Sequence, residues 1–347
     1  MRGTSAAGRA SVAQDPPGAP SPEALLACLG APEGSEVEAL RRLSGGANME
    51  TWAFDCCGAG RRRPLILRRR PGETAALVPA LSPAMPLATE AELMVLARRA
   101  GLPVPSVVAQ SVGGPLGEAL VLSRVDGEAL PQRILRDERL AAVRGRLAFE
   151  CGEALGKLHS VALDECPPGL RDLAWDADLD RLQALCDHFG NPSPAQQLGL
   201  NWLRGQRPPS QARVLCHGDF RLGNLLIGQG GLQGVLDWEL AHIGYPAEDL
   251  AYLCANVWRF GSERPVGGFG DYRQLLDGYR SVRGEAPDLD EIKRWELYAA
   301  LGWGLVCLTM LELHDSGADP GLERAAVGRR CSEADIDILL LLEELGA

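Results

Sequence analysis

The chain has 347 residues, 46% of them apolar, with 35 Lys and Arg against 46 Asp and Glu for a net charge of −11. That composition excludes a disordered or fibrous chain and fits a globular one. An acidic balance also lacks the broad positive field that non-specific nucleic-acid binding requires, so no nucleic-acid partner is expected.

At about 100 to 200 residues per domain, the length allows two lobes, each burying a core. Residues 1–22 hold Arg2 and Arg9 among Ala, Ser, Gly and Pro, with no apolar stretch of secretory type. They read as a disordered leader, with a transit segment as the alternative. From Glu36 to Arg70 a short helix or entry segment precedes a hairpin, with strands Glu50 to Asp55 and Pro64 to Arg69 around Gly58 and Gly60. Thr89 to Ala100 reads as a helix capped by Thr89 and stopped by Gly101. Ala119 to Val125 reads as a buried strand that runs into a linker at Asp126-Gly127.

After Pro131 the pattern turns helical, over Leu140 to His159, Leu179 to His188, Pro194 to Arg204, Glu248 to Trp258, Tyr272 to Arg280, Leu289 to Leu313 and Glu333 to Leu345. The expected organisation is therefore a leader over 1–22, a small β-rich N-lobe with one helix over 23–125, and a larger helical C-lobe over 126–347. The longest apolar run, Leu297 to Met310 with Leu311, falls short of the ~18 to 20 residues that span a bilayer and is flanked by Glu296 and Glu312. A buried helix is expected there, and no membrane partner. The ten cysteines include no C-x2-C pair and no His at zinc-ligand spacing, which fits free thiols in a reducing cytosol.

One hairpin interrupts the helices, Leu225 to Ile227 and Leu232 to Trp238 around Gly228-Gln229-Gly230-Gly231. His217, Asp219, Asn224, Asp237 and Glu239 crowd its ends, and buried charges cost several kcal/mol unless paired or metal-bound. The run His217-Gly-Asp-Phe-Arg-Leu-Gly-Asn224 sets Asp219 five residues before Asn224, with Asp237 thirteen residues further on. Protein kinases use this Asp-to-Asn spacing followed by a second Asp. Phosphoryl transfer needs oxygen ligands for Mg2+, which Asn224 and Asp237 can supply, and a base that orients the attacking hydroxyl, which Asp219 can be.

The segments LCHGDFRLGNLLI, GVLDWELAHIGYPAEDLAYL and LSGGANMETWAFD resemble the aminoglycoside phosphotransferase and choline-kinase-like superfamily, and within it the phosphotransferase domains associated with acyl-CoA dehydrogenases. The resemblance covers most of residues 35–320. It implies an α+β, bilobal protein-kinase-like fold that binds ATP and Mg2+ between a small β-rich N-lobe and a helical C-lobe. It further implies transfer of the γ-phosphoryl group to a hydroxyl of a small molecule, a hydroxyacyl-CoA or hydroxy acid. An aminoglycoside acceptor and a non-catalytic nucleotide-binding module are the alternatives.

Residue by residue, the resemblance implies nucleotide contacts at Gly45, Gly46 and Asn48 in the first turn, whose glycines admit phosphate to backbone N–H groups. Arg68 matches the strand cation on the phosphates, Glu92 its acidic partner, and Ser123 to Val125 the adenine-pairing hinge. Asp219 is the implied catalytic base, Asn224 and Asp237 the metal ligands, and Asp249 a brace for the catalytic loop. His217 reads as a loop brace rather than an acid or base, while Glu239 is either a metal-proximal carboxylate or a helix-entry acid. Tyr245 stands where the family usually carries Asp, which bears on the local turn and the adjoining substrate wall. Six arginines, 61–63 and 68–70, read either as a solvated hairpin turn or as a landing site for a polyanion. Trp258, Trp295, Tyr298 and Trp303 read as core aromatics or as a wall of the acceptor pocket.

Overall fold

The computed structural model of the protein describes residues 18–43, 49–70, 85–190, 193–207 and 212–347. The chain forms two compact units, one of residues 1–74 and 108–124, the other of residues 75–107 and 125–347. The second unit thus takes in residues 75–107, including a helix that the sequence pattern groups with the N-lobe.

The first unit is a five-stranded sheet in the order β1 (Glu36–Arg42), β2 (Glu50–Gly58), β3 (Arg61–Arg69), β5 (Glu118–Ser123), β4 (Val107–Val112), preceded by helix α1 (Pro22–Leu29). The expected hairpin is present and longer than its apolar core suggests, because pairing runs from Glu50↔Arg69 to Gly58↔Arg61 and closes on Ala59-Gly60, both at positive φ. Residues 36–42, read as a helix or entry segment, form edge strand β1 instead. Their polar character is that of a solvent-facing edge, and only Val37 and Leu40 pack on the core. Period-two alternation places Trp52, Phe54 and Cys56, Leu65 and Leu67, and Ala119 and Val121 on one face, covered by Leu25 of α1.

Ion pairs occupy much of the arginine patch. Arg62 pairs with buried Asp55, Arg69 with Glu50 at 2.7 Å and Arg70 with Glu118 at 2.8 Å, while Arg61, Arg62 and Arg63 are all exposed near the turn.

The second unit holds α2 (Leu87–Arg99), α3 (Pro131–Arg136), α4 (Ala141–Leu158), α5 (Trp175–His188), α6 (Pro194–Arg204), α7 (Pro246–Cys254), α8 (Tyr272–Arg283), α9 (Leu289–Asp315), α10 (Leu322–Gly328) and α11 (Cys331–Glu344). Two small antiparallel pairs sit among them, β6 (Val214–Cys216) with β9 (His242–Gly244), and β7 (Leu225–Gly228) with β8 (Gly231–Val235). Helix α9 is long and apolar enough to cross a membrane by length and composition, yet it buries Ile292, Trp295, Leu297, Leu301 and Leu305 and packs against α6, α7, α10 and α11. It is the core helix of this unit, as its flanking acids suggest.

Helices α4 and α8 approach closely enough that their backbones nearly touch. A Cβ on Gly152 would lie 2.1 Å from the Leu275 carbonyl oxygen, and one on Gly278 2.0 Å from that of Phe149. Neither backbone can yield without separating the helices. Gly278→Ala is expected to lower stability by about 1–3 kcal/mol through overpacking, read as a fall in the thermal midpoint; an unchanged midpoint would refute this account of the crossing.

Candidate active site

The catalytic segment joins β6 to β7, and its backbone is fixed from three sides. Leu236 N–H donates to the Asn224 carbonyl at 2.8 Å, tying the strand end before Asp237 to the turn that ends at Asn224. Behind the loop, Asp249 of α7 is fully buried and accepts from His217 N–H at 2.7 Å and Gly218 N–H at 2.9 Å. His159, at the end of α4, reaches the same carboxylate at 3.2 Å, and its other ring nitrogen meets the Tyr279 hydroxyl of α8 at 3.0 Å. The close α4–α8 crossing thus delivers the two side chains that seat Asp249. Burial opposes this charge, but His159 and the loop's N–H groups outweigh it and hold the carboxyl below its usual range.

His217 braces the loop, as the sequence suggests. Its Nδ1 accepts from Asp219 N–H at 3.2 Å, so Nε2 carries the proton and donates to the Leu236 carbonyl at 3.0 Å. Burial pushes its pKa down, which keeps the ring neutral. Gly218 has φ +78°, and a Cβ there would lie 2.4 Å from the Leu240 carbonyl oxygen, so only glycine fits this turn.

Asp219 is 8% exposed and is held by two donors, Arg221 Nε at 2.9 Å and Asn224 Nδ2 at 2.5 Å, with Tyr252 close by. Burial raises its pKa despite Arg221, which makes it a stronger base than an exposed carboxylate. Asn224 Nδ2 also donates to the Asp219 carbonyl at 3.0 Å. With its nitrogen committed twice, the Asn224 amide turns its oxygen to the opposite side. Asp237 lies near enough for its charge to raise the Asp219 pKa, and it stands at φ +67°, a conformation that L-residues rarely adopt outside functional sites. Asp219 and Asn224 are thus in direct contact, and Asp237 follows the strand end that is tied to Asn224; an amide oxygen and a carboxylate are donor types that suit a hard divalent cation.

Sequence spacing shows no zinc site, although the fold gathers Cys216, His242 and Glu248 within 4.8 Å of one another. There His242 and Glu248 form an ion pair at 2.9 Å. Burial alone would lower the His242 pKa; the Glu248 carboxylate overrides it and raises the pKa, while Nδ1 meets the Leu240 carbonyl at 2.8 Å.

A cavity of about 180 Å³ opens beside Gly218, Asp249 and Tyr252. Trp295, Tyr298 and Trp303 of α9 line it, so three of the four flagged aromatics are wall as well as core. The fourth, Trp258, stacks on the Arg221 guanidinium at 4.5 Å. Tyr245 supports the wall from behind, with its ring 5.4 Å from Trp295 and under the Arg213 guanidinium at 4.4 Å. Arg171, Arg181 and Glu248 also face the cavity. Sequence reasoning missed all three; Arg171 and Arg181 lie outside any motif and meet α9 only in the fold, whereas Glu248 falls inside a quoted segment. Arg221 and Tyr252 were missed too, although both fall inside the quoted segments, where their hydrogen-bonding side chains were a readable signal.

Among the remaining candidates, Gly45, Gly46 and Asn48 lie outside the described residues. Arg68 is on β3, opposite Thr51 and Leu120 and on the other face from Leu65 and Leu67. Ser123 ends β5, and Val125 begins the second unit. Glu92 is exposed on α2, whereas Glu90 is 1% exposed and engaged. The buried acid of that helix is therefore Glu90, two residues before the one expected. Glu239 is half-buried and engaged.

The His242–Glu248 pair sets a pH dependence. A histidine whose folded pKa is raised above its usual value near 6.5 contributes stability below that value and loses it as pH rises through the folded pKa. Glu248→Gln should therefore cost more stability at about pH 6 than at about pH 9, measured as the gap in thermal midpoint from the unaltered protein; a gap that is constant or widens with pH would contradict the pairing.

Comparison with known proteins bears on family and fold. The chain is 29% identical over 220 residues to acyl-CoA dehydrogenase family member 10 of Mus musculus, covering 60% of this chain and 20% of that protein. It is 32% identical over 168 residues to acyl-CoA dehydrogenase family member 11 of Gallus gallus, covering 44% and 21%. It thus spans about a fifth of the length of these relatives. Solved structures share the α+β, kinase-like fold: the GDP complex of aminoglycoside 2'-phosphotransferase-IIIa (TM-score 0.62, 14% identity, 87% and 93% covered) and a choline/ethanolamine kinase family protein from Mesorhizobium loti (TM-score 0.59, 18% identity, 88% and 90% covered). The model of the phosphotransferase enzyme family matches residues 39–284, and the chain belongs to that family.

Proposed function

We propose that the protein is an ATP- and Mg2+-dependent small-molecule kinase that moves the γ-phosphoryl group to an acceptor hydroxyl. The observation that carries this reading is the double commitment of the Asn224 amide nitrogen to Asp219, at 3.0 and 2.5 Å, which aims base and metal ligand from one rigid turn. Asp219 orients the acceptor hydroxyl and takes its proton. The hydroxyl oxygen bonds to the γ-phosphorus as the bond to the β–γ bridging oxygen breaks, and ADP leaves with that electron pair. Asn224 and Asp237 would hold Mg2+, which supplies charge neutralisation on the phosphates when bound. Arg221 and Asn224 fix the base before substrate arrives, so catalysis rests on positioning.

For the nucleotide we assign Gly45, Gly46, Asn48, Arg68, Ser123 and Val125, with the helix acid at Glu90 in place of Glu92. The acceptor we favour is a hydroxy acid or hydroxyacyl-CoA, since the relatives are named acyl-CoA dehydrogenases and Arg171 and Arg181 on the cavity wall disfavour a polycationic aminoglycoside. All ten cysteines are free, which supports a cytoplasmic location.

Asp219→Ala should keep stabilisation by ATP with Mg2+ in a thermal-shift assay while turnover falls by at least ~100-fold. Near-normal turnover would remove Asp219 as the base, and stabilisation by nucleotide with no turnover on any alcohol would favour a nucleotide-binding module. Asp237→Ala should abolish the Mg2+-dependent part of the nucleotide shift, because a ligand stabilises a protein only through the site that binds it; an unchanged shift would exclude Asp237 as a metal ligand.

A further inference from the structure

Strands β6 and β9 bring two metal-ligating side chains together at the root of the catalytic loop. Cys216, the last residue of β6, stands directly opposite His242, the first of β9, so their side chains share one face of the pair. Glu248, in the first turn of α7, reaches the same place, and one ligand atom from each of the three lies within 4.8 Å of the other two. Gly244 keeps the space between them open. A Cβ there would lie 2.4 Å from Glu248 Oε2, 2.9 Å from Cys216 Sγ and 3.0 Å from His242 Nε2. Gly244 has no positive φ, so it is this shared space, not the backbone, that excludes a side chain. The His242 ring is also set for a ligand. Nδ1 faces the Leu240 carbonyl at 2.8 Å, and a carbonyl only accepts, so Nδ1 carries a hydrogen. Nε2 stands 2.9 Å from Glu248 Oε1, and an imidazole lone pair that close to a carboxylate requires a proton or a metal ion between them. Yet neither Nε2 nor Glu248 Oε2 completes a hydrogen bond among the described residues, although both atoms are buried and His242 is only 3% exposed.

We propose that Cys216, His242 and Glu248 form a zinc site. Thiolate, imidazole and carboxylate are the donors that bind zinc, whereas Mg2+ takes oxygen, so this site selects against the ion assigned to Asn224 and Asp237. Charge closes as well, since one thiolate and one carboxylate balance Zn2+. The charges around the site are otherwise engaged: Asp249 accepts from the loop N–H groups and His159, and Arg171 donates to Asp178. Tetrahedral bonds of about 2.0–2.3 Å set ligand atoms about 3.3–3.8 Å apart, so the cluster closes on the metal by movements of about 1 Å. On binding, the Cys216 thiol gives up the proton it directs at the Tyr245 carbonyl, 3.5 Å away, and His242 the proton that pairs it with Glu248, both to solvent. His242 and Glu248 line the cavity beside the loop, which supplies an entry path and room for a water as fourth ligand. Zinc would then tie β6, β9 and α7 together just ahead of Asp219. The site shares no residue with the assigned transfer machinery, so it stands or falls independently of it.

The test takes the full chain, stripped with a chelator and returned to buffer with excess Mg2+, and titrates it with Co2+ and then Zn2+. One equivalent of Co2+ should give the visible bands of a tetrahedral site together with a thiolate-to-cobalt charge-transfer band in the near ultraviolet. One equivalent of Zn2+ should bleach both and raise the thermal midpoint. Cys216→Ser should abolish the charge-transfer band and weaken Zn2+ binding by at least ~100-fold, beyond what losing an outer-shell partner costs. Cys166→Ser should change neither. Gly244→Ala, which keeps all three ligands and fills the space between them, should lose the bands as well, with circular dichroism of the metal-free variants reporting that they are folded. The spectrum of the unaltered protein decides the case even where a variant does not fold: no charge-transfer band with Co2+ in excess would overturn the site. A band that survives Cys216→Ser, or metal affinity that is the same in His242→Gln and Glu248→Gln as in the unaltered protein, would overturn it too.

Discussion

One buried carboxylate organises the candidate site. Asp249 carries no exposed surface, and a charge in that position is tolerated only if its lone pairs are filled. They are filled by the backbone of His217 and Gly218 and by His159, so the cost of burying the charge is offset by fixing the loop that presents Asp219. The remaining groups follow. Gly218 must be glycine because the loop turns under Asp249 in the left-handed region, and His217 must be neutral because one ring nitrogen accepts from Asp219 N–H. Asp219 then projects toward Arg221, Asn224 and Tyr252 with its backbone already settled.

Around this brace, neighbouring charges are resolved in two ways. His242 with Glu248 is a closed pair that holds β9 to the start of α7. Arg171 and Arg181 instead share one buried carboxylate, Asp178, and both line the cavity.

The candidate residues of the loop were legible in the sequence because they are local. Asp219, Asn224 and Asp237 lie on one loop and one hairpin, so spacing along the chain is nearly spacing in space. The long amphipathic helices were legible for the same reason, and Pro194–Arg204 begins and ends where its Ser193 cap and its apolar period place it. What escaped was whatever depends on partners distant in sequence. The three-residue strands β6 and β9 are too short to show a period and exist only by pairing with each other. Strand β1 is a polar edge, and α1 has eight residues and one buried side chain. Glu90 and Glu92 are indistinguishable by composition, and only the rotation of α2 decides which is buried. Arg171, Asp178 and Arg181 flank the start of α5, yet nothing in their local pattern shows that α9 supplies the wall they face.

Tyr245, where the resemblance implies Asp, packs its side chain instead of capping the helix that follows. An Asp there could cap the N-terminus of α7 through its side chain, a contribution of about 0.5–2 kcal/mol. Tyr245 gives no such bond. Its ring instead lies between the Arg213 guanidinium and Trp295, and Trp295 in turn packs edge-on against Trp175 and Tyr298. Pro246 at the first helical position already removes one of the N–H groups a cap would satisfy, so the helix loses little by the exchange. What the protein gains is a stack of rings that fixes Trp295 and Tyr298 from behind, and Tyr298 carries the hydroxyl that holds Asp178 between its two arginines. The substitution at the turn and the charged wall of the cavity are therefore two ends of one packed assembly, joined through α9.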